Sequence, residues 1–459
     1  MEHHADIGGP PPGGPAQENV KLYGQAFGAD PEAHYNYLRT FGPTAPVDIA
    51  EGVEATLVTN YQVALAILKD SATFPRDSRN WAALQEGRIP ADSPALPMMG
   101  WRPNALFADG AAHARLRAAV TGSLEAIDVQ LLARQTQQAA EYLISQFSSP
   151  VGHAELVQEY AGPLPLLVFG TLFGCPPELG DRIITGITGI FTGTPGADQL
   201  LGGSLLELIA LKRRHPGEDV TSHLLTHQAG LTDEEAMHQL VTMLSGGTAP
   251  LAAAISTCIA LMLGDDKYAM GRLSVEDAVS EVLWNYAPIA NYAGHYPVMD
   301  VKVGDRVLRA NDPVLISFAA ANTDPNERRD FNGQAHLAFG AGPHACPAKD
   351  PAWVIAVKAV ETLLNRLPDV ELRCEFSALA WNQEPWTRSL VTLPVRFTKP
   401  APLPRRADGT AGAVPAAAPA VEAAAPVPSA PSAASPSAQE APRRRKGMFS
   451  RLVEWINGE

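Results

Sequence analysis

The stretch Phe339-Gly340-Ala341-Gly342-Pro343-His344-Ala345-Cys346-Pro347 decides the fold of this chain. It places one cysteine, Cys346, among glycines and prolines directly before a helical pattern. That pattern repeats apolar residues on one face at the helical period, and they are Trp353, Val357, Val360, Leu364 and Leu367. Pro368 ends the pattern. The sequence therefore predicts a loop that presents a cysteine to the first turn of a helix.

The residue types around Cys346 suit a thiolate that binds a metal. Glycines let the backbone pass close to a flat ligand, and the N-terminus of a helix favours a charged thiolate. These are the conditions under which a protein can hold a haem iron by an anionic sulfur. The alternative is a buried structural cysteine, which is the commonest role of a single cysteine. The order of turn, loop and helix favours the metal ligand.

The motif Phe-Gly-x-Gly-x-His-x-Cys, preceded by His336-Leu337-Ala338, resembles the haem-thiolate loop of the cytochromes P450. The resemblance implies a mainly α protein with a small antiparallel β region at one side and a long central helix over the haem. It also implies that Cys346 is the axial ligand of the iron of haem b. Phe339, Gly340 and His344 are then expected to line the cofactor on its thiolate side.

Length, charge and cysteine content narrow the class of protein. The chain has 459 residues, enough for a large core, and a formal net charge of -14, which argues against general nucleic-acid binding. The four cysteines lie far apart without the spacing of a disulfide framework or zinc site, and they are Cys175, Cys258, Cys346 and Cys374. A reducing cytoplasm fits this usage best. No signal peptide is predicted near the N-terminus.

Four segments are predicted along the chain. Residues 1–19 are Gly/Pro-rich and are expected to be disordered, with a metal grip by His3 and His4 as a weak alternative. Residues 20–400 form the haem-thiolate domain. Residues 401–442 are mostly Ala, Pro and Ser, which predicts a disordered linker.

The last segment, 443–459, reads as a basic amphipathic helix. Arg443-Arg444-Arg445-Lys446 precedes one apolar helical face, which consists of Met448, Phe449, Leu452, Val453 and Ile456. This arrangement predicts a hook for an anionic membrane surface or for the groove of a partner protein. The alternative is an unstructured charged end.

Local patterns predict the elements of the domain. Helices are expected at 31–38 and 61–68, with a strand at 53–59 between them, as at the start of the resembled family. Further helical patterns cover 130–147, 156–172 and 200–214 and are expected to form scaffold and a lid over the substrate pocket. Three residues of this region are expected to line the pocket, namely Phe191, Thr192 and Leu201.

His113 and Arg117 are four residues apart and therefore share a helix face. From the residues alone they form a solvated charged face. The resemblance implies instead that they bind a propionate of the haem. In the family, an arginine at the first residue of a strand binds the other propionate. His295 takes that position in this chain and is expected to hold the propionate in its place.

A long helix is predicted from Thr232 to about Leu263. Thr232 and Glu235 form a capping box at its start, and the helix would span roughly 45–50 Å. Its middle, 245–250, reads Ser-Gly-Gly-Thr-Ala-Pro. Glycine and proline weaken a helix by about 1 and 3 kcal/mol per residue, so a groove or kink is expected there.

In the resembled family this run is usually Ala-Gly-x-acid-Thr, whose acid and alcohol relay protons. Here Thr248 takes the place of the acid and Ala249 that of the alcohol. Gly246 and Gly247 are expected beside the cofactor. Three alternatives stay open: a hydroxyl of Thr248 or Ser245 acts from a shifted position, the substrate and water relay the protons, or efficient oxygen activation is not the role of this protein.

Two further departures concern the support of the loop. Ala348 replaces a glycine that the family usually has two residues after the cysteine. Trp284 takes the arginine position of the family's Glu-x-x-Arg helix, so Glu281 must find another donor, be neutral or lie at the surface. Arg328 or Arg329 is the candidate replacement for a second arginine. Glu-x-x-Trp resembles an actinobacterial subgroup associated with operons for a membrane sensor kinase and a small GTPase.

By resemblance, the expected reaction is insertion of one oxygen atom of O2 into a small organic substrate. Electrons would come from NAD(P)H through a separate ferredoxin and ferredoxin reductase. One alternative is a catalytically degenerate haem-binding component of a membrane-associated signalling or assembly complex. Peroxide-driven oxidation is the other.

Overall fold

The structure, a computed structural model, describes residues 19–147, 152–269, 273–327, 335–398 and 446–458. The predicted linker 401–442, nearly all of the predicted segment 1–19, and the candidate residues Arg328 and Arg329 lie outside these ranges.

Helices dominate the described residues. In chain order they are α1 Gln25–Ala29, α2 Pro31–Arg39, α3 Tyr61–Lys69, α4 Ala82–Gln85, α5 Leu96–Met99, α6 Gly110–Glu125, α7 Val129–Ser145, α8 Pro163–Leu172, α9 Pro177–Phe191, α10 Ala197–Arg214, α11 Val220–Thr226, α12 Asp233–Gly264, α13 Asp266–Ala269, α14 Val275–Asn285, α15 Phe318–Asn322, α16 Lys349–Arg366 and α17 Met448–Asn457. The strands are β1 Val20–Lys21, β2 Thr44–Ala50, β3 Val53–Val58, β4 His153–Glu155, β5 Asn291–His295, β6 Val301–Val303, β7 Arg306–Leu308, β8 Val314–Ser317, β9 Glu371–Leu372 and β10 Pro394–Arg396.

The largest sheet has the strand order β1-β2-β3-β8-β5 and is mixed. The β2–β3 and β5–β8 pairs are antiparallel, whereas the β1–β2 and β3–β8 pairs are parallel. The prediction of an antiparallel sheet is therefore wrong for this sheet. Its cause is long-range: β8 arrives from far along the chain and joins β3 in the parallel direction, which no local pattern reveals.

Helix α12 runs through the helical core and contacts α8, α10, α14 and α16. Its start is fixed by the predicted capping box, in which the Glu235 amide donates to Thr232 Oγ1 at 3.1 Å and the Thr232 amide donates to Glu235 Oε2 at 3.0 Å. The helix continues through Pro250 to Gly264. Among the described residues it is the one helix long and apolar enough to cross a bilayer, but most of that stretch is buried inside the protein, as expected of a core helix.

Two buried clusters form the core. The larger one lies among the helices, and the smaller one lies against the mixed sheet and contains Trp81 and Tyr296. Helix α9 was not predicted: Leu179, Ile183 and Ile187 recur at the helical period, but its three glycines lower the helix propensity of the segment. Those glycines allow a close antiparallel approach to α10: a Cβ at Gly186 would lie 2.9 Å from Leu201 Cα.

The tail segment forms α17, which packs on α7, α8 and α9. Phe449 and Leu452 on its apolar face are 2% and 1% exposed. In this arrangement the face predicted to bind a membrane or partner lies against the chain's own domain.

Candidate active site

The loop before α16 is a tight turn that depends on glycine. Gly340 and Gly342 both have φ of 67°, in the left-handed region, and a Cβ at Gly342 would lie 2.2 Å from the Leu68 carbonyl oxygen. The Cys346 amide donates to the Phe339 carbonyl at 2.7 Å and closes the turn. Cys346 is thereby held three residues before Lys349, the first residue of α16.

The surroundings of the Cys346 sulfur combine access with desolvation. Cys346 is accessible to solvent, yet the surrounding protein desolvates its thiol and raises the thiol pKa, which is the combination expected in a concave part of the protein. The Ala348 backbone and the charge of Arg117 lower the pKa in opposition. The Arg117 guanidinium donates to the carbonyls of Pro343, at 3.5 Å, and Ala345. Arg117 thus ties α6 to the loop and places a cation near the sulfur, which favours the thiolate.

His113, also on α6, meets the loop beside Arg117. Its ring lies 4.1 Å, between centroids, from that of His344, and His344 Nε2 lies 3.4 Å from Asp109 Oδ1. Burial, and then the charges of His344 and Arg117, lower the pKa of His113 to about 4. His344 is therefore part of a histidine cluster with His113, a contact that the sequence did not predict.

Two more cationic or basic groups approach this cluster from the sheet side. His295 is 3% exposed, and burial, followed by the charges of Arg76 and His344, holds its pKa well below the usual value. Arg76 is 2% exposed, and its guanidinium lies 4.0 Å from the centroid of the Tyr292 ring. His295 ends β5, whereas the sequence analysis placed it at the start of a strand. That assignment was wrong because β5 starts earlier: its pairing with β8 is irregular around the left-handed Gly294 but resumes at His295, the last residue of the strand.

Three of these side chains hold buried polar atoms that have no partner among the described residues. They are Arg76 Nη1, His113 Nε2 and His295 Nδ1. An unpaired buried donor is costly, about 1–3 kcal/mol or more. These three side chains therefore need hydrogen-bond acceptors from a bound ligand, and anionic groups are the most suitable acceptors.

The middle of α12 is open on one side. A Cβ at Gly246 would meet no atom within 4 Å, whereas one at Gly247 would lie 2.3 Å from Phe169 Cζ on α8. The second glycine therefore serves close packing against α8, and its predicted place beside the cofactor stays a prediction. Pro250 has no amide hydrogen to donate to the Gly246 carbonyl, so the helix lacks one backbone hydrogen bond there. The helix nevertheless continues to Gly264.

The two candidate hydroxyls of α12 differ in their bonding. Ser245 Oγ donates to the Val241 carbonyl at 2.9 Å. Thr248 is 5% exposed, and its Oγ1 has no partner among the described residues. Thr248 therefore keeps a donor for a further group, while Ser245 offers mainly its acceptor lone pairs.

Glu281 on α14 finds its charge partner close by in sequence. Lys267 Nζ donates to Glu281 Oε1 at 2.8 Å, and Tyr268 Oη donates to Glu281 Oε2 at 2.6 Å. Of the three alternatives for Glu281, another donor is the one that the structure shows. Trp284 is 5% exposed and does not need to supply a charge.

Trp284 instead begins an aromatic column that ends in the cysteine loop. Its ring meets His336 edge-on, with 5.7 Å between centroids, and the His336 ring lies 5.8 Å from that of Phe339. Asn322 runs beside this column: its Nδ2 donates to the Leu283 carbonyl at 3.0 Å, and its Oδ1 accepts from the Leu337 amide at 2.7 Å. Helix α14 is thus joined to the loop by aromatic ring contacts and amide hydrogen bonds.

Comparison with known proteins agrees with this geometry. No family model matched the chain. The cytochrome P450 monooxygenase PikC of Streptomyces venezuelae is 32% identical over 399 residues, which cover 82% of this chain and 93% of PikC. The nocardicin C N-oxygenase of Nocardia uniformis subsp. tsuyamanensis is 30% identical over 399 residues, which cover 82% of this chain and 98% of that protein. This chain belongs to the bacterial cytochrome P450 monooxygenases.

The fold agrees as well. The structure of CYP154C4 from Streptomyces sp. ATCC 11861 matches with a TM-score of 0.75 at 27% identity, over 84% of this chain and 99% of that one. The predicted family, the mainly helical fold and the haem b cofactor are therefore confirmed. This P450 is an oxidoreductase, and its activity is that of a haem monooxygenase.

The residues of this P450 fit haem b. The accessible sulfur of Cys346 suits the iron, and the unpartnered atoms of Arg76, His113 and His295 suit the two propionate carboxylates. Arg76 was missed by sequence reasoning, because an isolated arginine after Phe74-Pro75 carries no signal of its own. Only the fold brings it beside His295.

Other predicted residues lie elsewhere. Leu201 is 1% exposed and packs on Gly186, so it belongs to the core and does not line a pocket as guessed. Phe191 is 52% exposed at the end of α9, and Thr192 follows it at the surface.

Proposed function

We propose that this P450 inserts one oxygen atom of O2 into a small organic substrate. Electrons come from NAD(P)H through a separate ferredoxin and ferredoxin reductase. The observation that carries the proposal is the Cys346 loop, in which an accessible sulfur lies beside Arg117 at the start of α16. A thiolate-bound haem supplies activation of O2. Two relatives, nocardicin C N-oxygenase and 2-hydroxy-5-methyl-1-naphthoate 7-hydroxylase, act by name on small organic compounds, which supports a substrate of this class.

Each part of the site then has a role. Cys346 would hold the iron, and Phe339 and Gly340 would shape the loop that presents the sulfur. Arg117 binds the loop carbonyls and stabilises the charge of the thiolate, in addition to the propionate contact predicted for it. The cluster around His113 binds the carboxylates.

Proton delivery rests on the hydroxyls of α12. Thr248 Oγ1 is buried with an unused donor, and the Gly246 carbonyl lacks a helical donor because of Pro250. Both atoms suit ordered water, as does the Ser245 hydroxyl. Of the three alternatives left open by the sequence, a hydroxyl acting from a shifted position has the most support.

The test is reconstitution of the purified holoprotein with a surrogate ferredoxin, its reductase and NAD(P)H across a broad compound library. A ligand that shifts the haem absorption should be converted to a product containing heavy oxygen supplied as labelled O2. A parallel arm with hydrogen peroxide and no reductase tests the peroxide-driven alternative. Absence of product in the ferredoxin arm, with haem fully bound, would contradict the proposal.

The remaining predictions concern context. The relatives give no support to the catalytically degenerate alternative. We propose a cytoplasmic location, supported by the bacterial P450 relatives. The likeness to the subgroup near sensor kinase and GTPase genes stays a prediction. So does the membrane or partner hook, whose apolar face is engaged by the domain in this arrangement.

A further inference from the structure

Helix α17 is an addition to a complete P450 domain. The match to CYP154C4 takes up 99% of that chain but only 84% of this one. The matched share corresponds in length to the domain predicted at 20–400. The helix that follows the linker therefore requires an explanation of its own.

The domain offers α17 a fitted groove. The Phe449 ring lies between two glycines, Gly170 on α8 and Gly180 on α9. A Cβ at Gly180 would lie 2.2 Å from Phe449 Cδ1, and one at Gly170 would lie 2.6 Å from Phe449 Cε2. Real Cβ atoms do not approach so closely, so only glycine at both positions leaves room for the ring. Trp455, towards the end of α17, meets the Tyr142 ring of α7 edge-on, with 5.9 Å between the ring centroids.

A single carboxylate orients the start of α17. Asp181, next to Gly180, accepts hydrogen bonds from the amides of Gly447 at 3.0 Å, Phe449 at 2.7 Å and Ser450 at 3.2 Å, and from the Ser450 hydroxyl. These amides have no partner within the helix, and a negative charge is favourable at a helix N-terminus. The apolar groove and this carboxylate together specify a helix in one position and one direction.

Helix α8 connects this groove to the active site. Gly170 faces Phe449, and its neighbour Phe169 packs into the space that Gly247 leaves on α12. Helix α8 thus lies between α17 and the broken hydrogen-bonding segment of α12. Any loosening of α8 alters the packing at Gly247.

We propose that the groove of α7, α8 and α9 is a regulatory helix-binding site whose ligand is the chain's own segment 446–458. Docked, α17 fixes α8 against the middle of α12 and keeps the substrate side of the haem in its binding-competent form. Undocked, α8 loosens and ligand binding weakens. This inference does not depend on the oxygen chemistry, since it concerns packing and ligand access.

The test uses full-length holoprotein carrying Phe449→Ala, with Asn457→Ala on the exposed end of α17 as the matched control. Hydrogen exchange is measured in α8, α9 and residues 244–251, and imidazole binding to the haem is followed by absorption. Phe449→Ala should speed exchange in all three regions at least tenfold and weaken imidazole binding several-fold. Asn457→Ala should change neither.

A synthetic peptide of residues 446–458 should restore both properties to Phe449→Ala. A second variant, Gly180→Ala, closes the groove from the domain side while improving the intrinsic helix propensity of α9. It should show the same loosening without rescue by the peptide. Unchanged exchange at 244–251 in both variants, or failure of the peptide to restore Phe449→Ala, would overturn the proposal.

Discussion

Trp284→Ala tests whether the aromatic column from α14 holds the cysteine loop. Trp284 is 5% exposed, and truncation of a buried tryptophan costs about 3–5 kcal/mol in the free energy of unfolding. Unfolding entropy of about 2.1 cal/mol/K per residue gives about 0.8 kcal/mol/K for a domain of this size. The melting temperature should therefore fall by roughly 4–6 °C.

The more specific consequence is faster loss of haem. Trp284 contacts His336, which contacts Phe339 at the start of the loop, so the truncation removes the support of the thiolate. We expect haem transfer to excess apomyoglobin to be about tenfold faster, which corresponds to about 1.4 kcal/mol. Trp284→Phe keeps a ring in the column and should transfer haem at close to the wild-type rate.

Phe27→Ala is the matched control for this experiment. Phe27 is 3% exposed, meets Tyr35 edge-on at 5.9 Å, and belongs to the smaller core cluster by the sheet. Its loss should destabilise the protein to a similar degree without changing the rate of haem transfer. Equal transfer rates in the Trp284→Ala and Phe27→Ala variants would refute the role of the column.

Three other predictions follow from the site. Arg76→Gln should weaken haem affinity by about tenfold or more, because a charge-assisted hydrogen bond is worth about 1.5–3 kcal/mol. Arg79→Gln, at an exposed position, should leave haem affinity unchanged. Equal haem affinities of the two variants, measured by titrating each apoprotein with haem, would contradict this prediction. Thr248→Ala should divert more electrons from product to peroxide than Ser245→Ala, because, of these two hydroxyls, only that of Thr248 has an unused donor. The measurement is the amount of peroxide formed per NAD(P)H consumed. The reverse order would assign the relay to Ser245. Burial lowers the pKa of His336 from 6.5 to about 4. Between these pH values the unfolded chain therefore binds a proton at His336 that the folded protein does not bind. The stability that is present above pH 6.5 is lost as the pH falls towards 4. His336→Phe should therefore reduce the slope of unfolding free energy against pH in this window by about 1.4 kcal/mol per pH unit, measured by urea titration, and an unchanged slope would show that His336 does not stay neutral.

What could be predicted from the sequence was local. The loop around Cys346 and the capping box at Thr232 each lie within a few residues, so their patterns are complete in the sequence itself. The same holds for α16, whose apolar positions Val357 and Val360 are buried as the pattern predicts. The three alternatives for Glu281 came instead from the resemblance to the family's Glu-x-x-Arg helix, in which Trp284 takes the arginine position.

What could not be predicted depends on contacts between separate elements of the fold. The donor to Glu281 is Lys267, which lies on another element, and the charge beside His295 comes from Arg76, more than two hundred residues away. The parallel β3–β8 pair is equally non-local. The amphipathic face of α17 was recognised, but such a face suits a membrane, a partner or the chain's own domain. The groove at Gly170 that receives Phe449 is formed by distant helices, so the sequence pattern did not predict it.

The central claim is the bond between the Cys346 sulfur and the haem iron, and the absorption spectrum of the reduced carbon monoxide complex tests it directly. A thiolate ligand predicts a strongly red-shifted Soret band in wild-type protein and in Cys374→Ser. In Cys346→His, which offers a neutral nitrogen, the shifted band should be absent. A wild-type complex without that band, or a Cys346→His variant that keeps it, would contradict the assignment.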